Sequence, residues 1–147
     1  MKKFRFGLDS VLDYRRQVLD SCQGEYAQAL EQVHRQEARK AETENRYRQH
    51  NQEFRDAAAA GITAADALAY ESGLRALERE IARENKLLEE YRRIAEEKRE
   101  RMMQAHIDTT ALERLREKKW QDYNKEVQKS DEQFIDELVS ARRGAAG

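Results

Sequence analysis

Residues 57–66 read AAAAGITAAD, and this stretch decides the fold. Gly61 can adopt the left-handed backbone conformation that closes a helix, and Thr63 can cap the helix that follows. Asp66, three residues after Thr63, supplies the acidic side chain of a capping box. No other strong turn signal lies in the central part of the chain, because the sequence has no proline and Gly73 has no neighbouring helix breaker. The stretch therefore predicts one tight turn between two long helices.

The residues on both sides of this turn repeat with the alternating three- and four-residue spacing of a coiled-coil seam. The first helix is predicted near residues 9–58, and its two seam positions read Leu12, Leu19, Tyr26, Val33, Lys40, Tyr47, Phe54 and Arg15, Cys22, Ala29, Gln36, Thr43, His50, Ala57. The turn is predicted at 59–64 and the second helix near 64–142, with seam positions Leu74, Ile81, Leu88, Ala95, Met102, Thr109 and Tyr70, Leu77, Glu84, Tyr91, Lys98, Ala105, Leu112. Charged and polar side chains fill most other positions, as on a solvated helix face.

The two seams also match each other in register. In a hairpin that turns at Ile62, residues i and 124 − i lie opposite each other, which pairs Leu12 with Leu112 and predicts an ion pair between Lys40 and Glu84. A disordered chain of the same polar composition would not produce this match. We therefore predict an all-α fold, with one domain over residues 1–147 that forms a long antiparallel two-helix coiled-coil hairpin with an extended C-terminal helix.

Composition and motifs exclude several classes of function. The net charge is -1 with no basic footprint, which argues against nucleic-acid binding. A single cysteine, Cys22, and the lack of a long apolar run predict a cytoplasmic protein. His34, His50 and His106 are too far apart for a zinc site, and a two-helix seam offers no cleft for acid–base catalysis. We therefore predict no enzyme activity, no metal and no cofactor.

Two groups of apolar residues are candidate partner-binding surfaces. The second helix continues beyond Leu112 as an overhang, which residues 1–8 are expected to cover in part. The candidates at the termini are Phe4, Phe6, Leu115, Trp120, Tyr123, Val127 and Phe134, and Ile135 and Leu138 lie on the same overhang. Exposed aromatic residues on an unpaired helix indicate a protein partner. The candidates near the turn are Tyr47, Phe54, Tyr70, Leu74 and Leu77, which alternatively are seam residues that only hold the tip together.

Three stretches resemble the flagellar FliJ family, the small coiled-coil component of the bacterial flagellar type III export apparatus. They are FRF at 4–6 followed by Leu8, AGIT at 60–63, and LERLREKK at 112–119, in the family's order and spacing. The resemblance implies a non-enzymatic stalk whose helical termini insert into the hexameric export ATPase and promote its assembly and activity. It also implies contacts with the cytoplasmic domain of the membrane-embedded export gate and with export chaperones. The protein would then act in motility, at the cytoplasmic face of the inner membrane.

On this resemblance the candidates at the termini face the ATPase, and those near the turn face the gate. Gly73 departs from the family pattern, because some members carry a large apolar residue there. Two other interpretations remain open. One is the equivalent stalk of a virulence type III secretion system, which a flagellar gene neighbourhood would argue against. The other is a generic coiled-coil scaffold, which co-purification with an ATPase would exclude.

Overall fold

The computed structural model describes residues 2–146, so the predicted domain 1–147 begins and ends one residue outside that range. It contains two helices, α1 (Asp9–Ala60) and α2 (Ala64–Ala146), and no strand within the described residues. The two long helices pack against each other in a hairpin, which confirms the predicted fold class. Both helices end a few residues later than the sequence indicates, and the turn is correspondingly confined to residues 61–63.

The described part of the chain divides into two compact units. One is Ser21–Met102, which contains the turn and is called here the tip unit. The other consists of residues 2–20 and 103–146 and is called the terminal unit. That the whole chain is a single domain stays a prediction. Neither helix carries a stretch that is apolar enough to span a lipid bilayer.

The turn is built as its sequence predicts. Gly61 has a φ of +93°, a conformation that is costly for any residue with a Cβ, and its N–H donates to the carbonyl of Ala58 at 3.3 Å. The hydroxyl of Thr63 accepts a hydrogen bond from the backbone N–H of Asp66 at 3.1 Å. The carbonyl of Thr63 accepts the first helical hydrogen bond, from the N–H of Ala67 at 3.1 Å. Thr63 is therefore the N-cap of α2.

The core of the tip unit is a narrow seam between the helices. Ala29, Val33, Leu88 and Ala95 form one buried cluster, and Tyr91 packs against it. These are seam positions in the predicted register, and every residue of the two predicted seams is buried or half-buried. A seam of this kind needs apolar residues at only two positions in seven, which is why so polar a chain can still fold.

A polar layer interrupts this seam. Gln36 and Thr43 are buried, the Gln36 amide donates to the carbonyl oxygen of Glu84 at 3.0 Å, and the Thr43 hydroxyl lies 3.1 Å from Glu84 Oε1. The Lys40 ammonium donates instead to Asn85 Oδ1 at 3.1 Å. The predicted pairing of Lys40 with Glu84 is therefore wrong: besides Asn85, the Lys40 ammonium pairs with the Glu44 carboxylate of its own helix at 3.8 Å.

The terminal unit has buried seam residues of its own. Leu12, Ala105 and Thr109 are buried, and the Thr109 hydroxyl lies 3.2 Å from the carbonyl oxygen of Arg15 on α1. The Arg15 guanidinium also pairs with the Asp108 carboxylate at 3.5 Å. These contacts hold the start of α1 against α2, and α2 then continues beyond them.

Candidate partner-binding surfaces

Residues 2–8 precede α1 without forming a helix, and this N-terminal strap packs against α2. The Phe4 ring meets the Trp120 ring edge-on with 5.1 Å between centroids, and lies 5.6 Å from the Tyr123 ring. The Tyr123 hydroxyl donates a hydrogen bond to the backbone carbonyl of Lys2 at 2.6 Å. Phe6 is buried, with 7% of its surface exposed. The strap therefore covers part of α2, as the sequence indicates, and both of its aromatic residues, Phe4 and Phe6, are engaged within the terminal unit.

Charged contacts accompany the aromatic ones. The Arg116 guanidinium lies 5.6 Å from the centre of the Phe4 ring, and its Nε is 3.3 Å from Asp9 Oδ1. A groove of about 870 Å³ lies between the strap and α2 and is lined on the helix side by Leu115, Lys119, Asp122, Tyr123 and Glu126. Arg116 on α2 thus contacts both the strap, through Phe4, and the first residue of α1, Asp9.

The seven predicted residues at the termini are not one continuous surface. Phe4, Trp120 and Tyr123 form one aromatic cluster, in which Trp120 stacks on Tyr123 with 5.9 Å between centroids and still has 40% of its surface exposed. Phe6 is buried beside it, and Leu115 lines the groove. Val127 and Phe134 lie further along α2, the first half-buried and the second exposed.

Beyond the strap, α2 is exposed at every described position from 128 to 146. Four large apolar side chains in this stretch are exposed, and they are called here the C-terminal stripe: Phe134 62%, Ile135 56%, Leu138 54% and Val139 44%. Their spacing of one, three and one residues places them on one face of the helix. An exposed apolar face of this kind is typical of a protein-interaction site.

The sequence analysis missed other exposed apolar residues of the terminal unit. Val11 and Tyr14 on α1 are both exposed, and their three-residue spacing places them on one face. Neither is a seam position, so the heptad treated them as part of the solvated surface. An apolar residue at an off-seam position is the signal that could have found them.

At the tip, the predicted residues pack mainly against one another. The Tyr70 ring lies 5.3 Å from the Phe54 ring and 5.4 Å from the His50 ring, and His50 Nε2 is 3.2 Å from the Tyr70 carbonyl oxygen. Tyr47, Phe54, Tyr70, Leu74 and Leu77 are all half-buried. Each therefore keeps part of its surface accessible to a partner. Leu68, which the sequence analysis missed, is 66% exposed in the same region.

The Tyr47 hydroxyl extends the tip cluster into the polar surface. It donates to Glu78 Oε1 at 3.3 Å, and the Arg75 guanidinium donates to both Glu78 oxygens at 2.9 Å. The hydrogen bonds from Arg75, with a smaller contribution from Tyr47, hold the pKa of the Glu78 carboxyl below its usual value. Glu78 is therefore ionised at neutral pH and accepts both donors.

Gly73 has a packing reason to be small. A Cβ atom at this position would lie 2.5 Å from His50 Nε2 and 3.1 Å from Cε1, closer than real side-chain contacts allow. The glycine thus lets the His50 ring approach the backbone of α2. A side chain at position 73 would require the His50 ring to move.

The exposed and half-buried apolar side chains described above are the candidate binding surfaces of the chain. No group of three or more histidine, cysteine, aspartate or glutamate side chains in residues 2–146 is placed to hold a metal ion. The fold and its surfaces define a coiled-coil hairpin with exposed apolar faces, a class of protein that works through contacts with other proteins.

The flagellar FliJ protein family model matches residues 4–146, so the chain belongs to the FliJ family. Membership makes it a component of the flagellar export apparatus, and the family is a non-catalytic structural component of that machinery. Comparisons with curated proteins and with solved structures found no match.

Proposed function

We propose that this protein is a coiled-coil stalk whose terminal unit binds the hexameric export ATPase and promotes its assembly and activity. The observation that carries the proposal is the C-terminal stripe, which exposes four large apolar side chains along one helix face. We assign the same role to Leu115, Trp120, Tyr123 and Val127, which precede the stripe on α2. Phe4 and Phe6 are engaged with the rest of the terminal unit, so a direct contact of either with the ATPase stays an untested prediction, and for Phe4 it is the alternative that the Phe4→Ala variant below tests.

The exposed C-terminal stripe leaves apolar surface in contact with water, which is unfavourable in free energy. Burying apolar surface gains about 25 cal/mol per Å² removed from water, so a stripe that stays exposed forgoes that gain. Aromatic side chains such as Phe134 and Trp120 are the usual anchors of protein interfaces. A partner that covers this face would remove its apolar surface from water, and this burial would favour the complex.

The experiment uses the purified chain and the purified export ATPase from the same organism. The chain alone should hydrolyse no ATP, and its addition should raise both the fraction of hexameric ATPase and the rate of hydrolysis. Co-purification without any change in rate or assembly would reduce the protein to a scaffold. Membership in a flagellar family favours this ATPase over that of a virulence secretion system.

We further propose that the tip faces the cytoplasmic domain of the export gate, so that the protein links the ATPase to membrane-anchored machinery at the cytoplasmic face of the inner membrane. The accessible surfaces of Tyr47, Phe54, Tyr70, Leu74 and Leu77 support this assignment. Export chaperones are a third class of partner, proposed from the family alone.

Tyr47→Ala and Tyr70→Ala test the tip assignment. We expect binding to the gate domain to weaken by about tenfold or more, as is common for an aromatic interface anchor, and motility of cells to fall. Helicity and ATPase stimulation should largely persist. Tyr70→Ala should lose more thermal stability than Tyr47→Ala, because the Tyr70 ring packs on both His50 and Phe54.

Tyr47→Phe is the matched control, because it keeps the ring and removes only the hydroxyl that donates to Glu78. It should bind the gate domain nearly as the parent chain does. Equal loss of helicity, stimulation and gate binding would mean that these rings hold the tip together and nothing more. Unchanged gate binding in both alanine variants would move the gate site to another part of the protein.

A further inference from the structure

The strap contacts α2 in the manner of a bound peptide. It is an extended segment that offers one aromatic ring, Phe4, to the edge-on contact with Trp120, and one main-chain carbonyl, of Lys2, to the Tyr123 hydroxyl. Peptide ligands in grooves use the same two kinds of contact, side chains in pockets and main-chain hydrogen bonds. The face of α2 that carries Trp120 and Tyr123 is therefore already contacted by part of the chain itself.

The strap can leave this groove without unfolding any helix. Residues 2–6 have no helical hydrogen bonds, and α1 begins only at Asp9. The contacts of Phe4 and Lys2 are two ring pairs, one cation–π contact and one hydrogen bond, each of a kind that contributes modestly. Phe6, which is buried, can stay in place as the anchor while residues 2–5 move.

Release of the strap would uncover the strongest potential anchors of the terminal unit. Trp120 and Tyr123 are stacked side by side on α2. Tryptophan and tyrosine are the residues most enriched at the energetic centres of protein interfaces. In the closed state the Phe4 ring packs against both, and Trp120 still has 40% of its surface exposed.

We propose that the strap is an autoinhibitory element that competes with an aromatic-bearing segment of the export ATPase for the face of α2 that carries Trp120 and Tyr123. This inference rests on the proposed function, since it concerns the regulation of the same ATPase-facing surface. Binding of the ATPase then requires release of residues 2–5. The apparent affinity is reduced by the fraction of molecules in which the strap is open.

Phe4→Ala is the direct test, and Trp120, as the only tryptophan of the chain, reports on the strap by its fluorescence. In the isolated full-length protein, we expect quenching of Trp120 by acrylamide to increase when Phe4 is truncated. In a titration of the export ATPase, the concentration for half-maximal stimulation should fall by roughly tenfold if the strap is closed about nine-tenths of the time. Tyr123→Phe, which keeps the ring and loses the hydrogen bond to Lys2, should change both readouts in the same direction by less.

Lys3→Ala is the matched control, because it truncates an exposed long side chain in the same segment. It should leave both readouts unchanged. The proposal is wrong if Phe4→Ala leaves Trp120 quenching unaltered, or if it exposes Trp120 but leaves stimulation equal or weaker. In the last case Phe4 is a contact to the ATPase rather than its competitor. Failure of the proposed function looks different, because then neither the parent chain nor any variant stimulates the ATPase.

Discussion

Truncation of the chain after Lys118 is expected to abolish stimulation of the export ATPase. The truncation removes Trp120, Tyr123, Val127 and the whole C-terminal stripe, and so leaves only Leu115 of the ATPase-facing residues that we propose on α2. Losing one aromatic anchor costs about 2 kcal/mol or more at a typical interface. That is roughly a thirtyfold loss of affinity for each, so the loss of several leaves no measurable binding. The measurement is the rate of ATP hydrolysis at increasing concentrations of the truncated protein.

A second truncation, after Gln128, separates the stripe from the aromatic cluster. It keeps Phe4, Trp120, Tyr123 and the hydrogen bond to Lys2, and the described residues that it removes, 129–146, are all exposed. We expect the concentration needed for half-maximal stimulation of the ATPase to rise by at least about thirtyfold, while Trp120 fluorescence stays unchanged. The tip unit, Ser21–Met102, loses no residue in either truncation, so its helical signal should persist. Full stimulation by the chain that ends at Lys118 would mean that the ATPase does not bind the part of α2 beyond that residue.

Leu88→Ala is expected to have the largest effect on stability of any single truncation in the tip unit. Leu88 has 2% of its surface exposed and belongs to the buried cluster with Ala29, Val33 and Ala95. Truncating a buried leucine to alanine typically costs 2–5 kcal/mol, from lost burial and from the cavity that remains. A seam only one layer thick can relax or admit water, so we expect about 2–3 kcal/mol here. The melting temperature should fall by about 5–10 °C.

Its neighbour provides a matched control. Leu87 has 40% of its surface exposed, and Leu87→Ala makes the same chemical change in the same helix, one residue away. It should lower the free energy of unfolding by less than about 1 kcal/mol, because little burial is lost. The comparison is made by thermal or urea unfolding followed by circular dichroism. Equal effects of the two substitutions would mean that the helices do not pair in the described register.

The hairpin was predictable because its determinants are periodic. The seams of the two helices share one register, which places Phe54 opposite Tyr70 and Val33 opposite Tyr91. In the structure the Phe54 and Tyr70 rings pack together, and Tyr91 packs against the buried cluster that contains Val33. The turn was predictable because the residue types at 61–63 have strong local preferences. Each of these signals acts over a few residues or repeats many times, so one sequence suffices to detect it.

Side-chain partners and non-helical contacts could not be predicted in the same way. The register places Lys40 opposite Glu84, but a long flexible side chain can reach several partners. In the structure the Lys40 ammonium donates to Asn85, and the Glu84 carboxylate lies beside the Thr43 hydroxyl. The place of Phe4 on Trp120 follows no periodicity, because residues 2–6 are outside any helix.

The role of Gly73 needed the structure as well. The register indicates that Gly73 lies near His50. Only the structure shows that the missing Cβ of the glycine leaves room for the His50 ring. The sequence shows the glycine but not which side chain its missing Cβ admits.

Site-specific photo-crosslinking tests most directly the claim that the C-terminal stripe faces the ATPase. A benzoylphenylalanine replaces Phe134 in one protein and Leu68 in another, two positions of similar exposure at 62% and 66%. Each is irradiated with the purified export ATPase, and covalent adducts are separated by electrophoresis and identified by mass spectrometry. We predict an adduct with the ATPase from position 134 and none from position 68. An adduct from position 68 with none from position 134 would contradict the account.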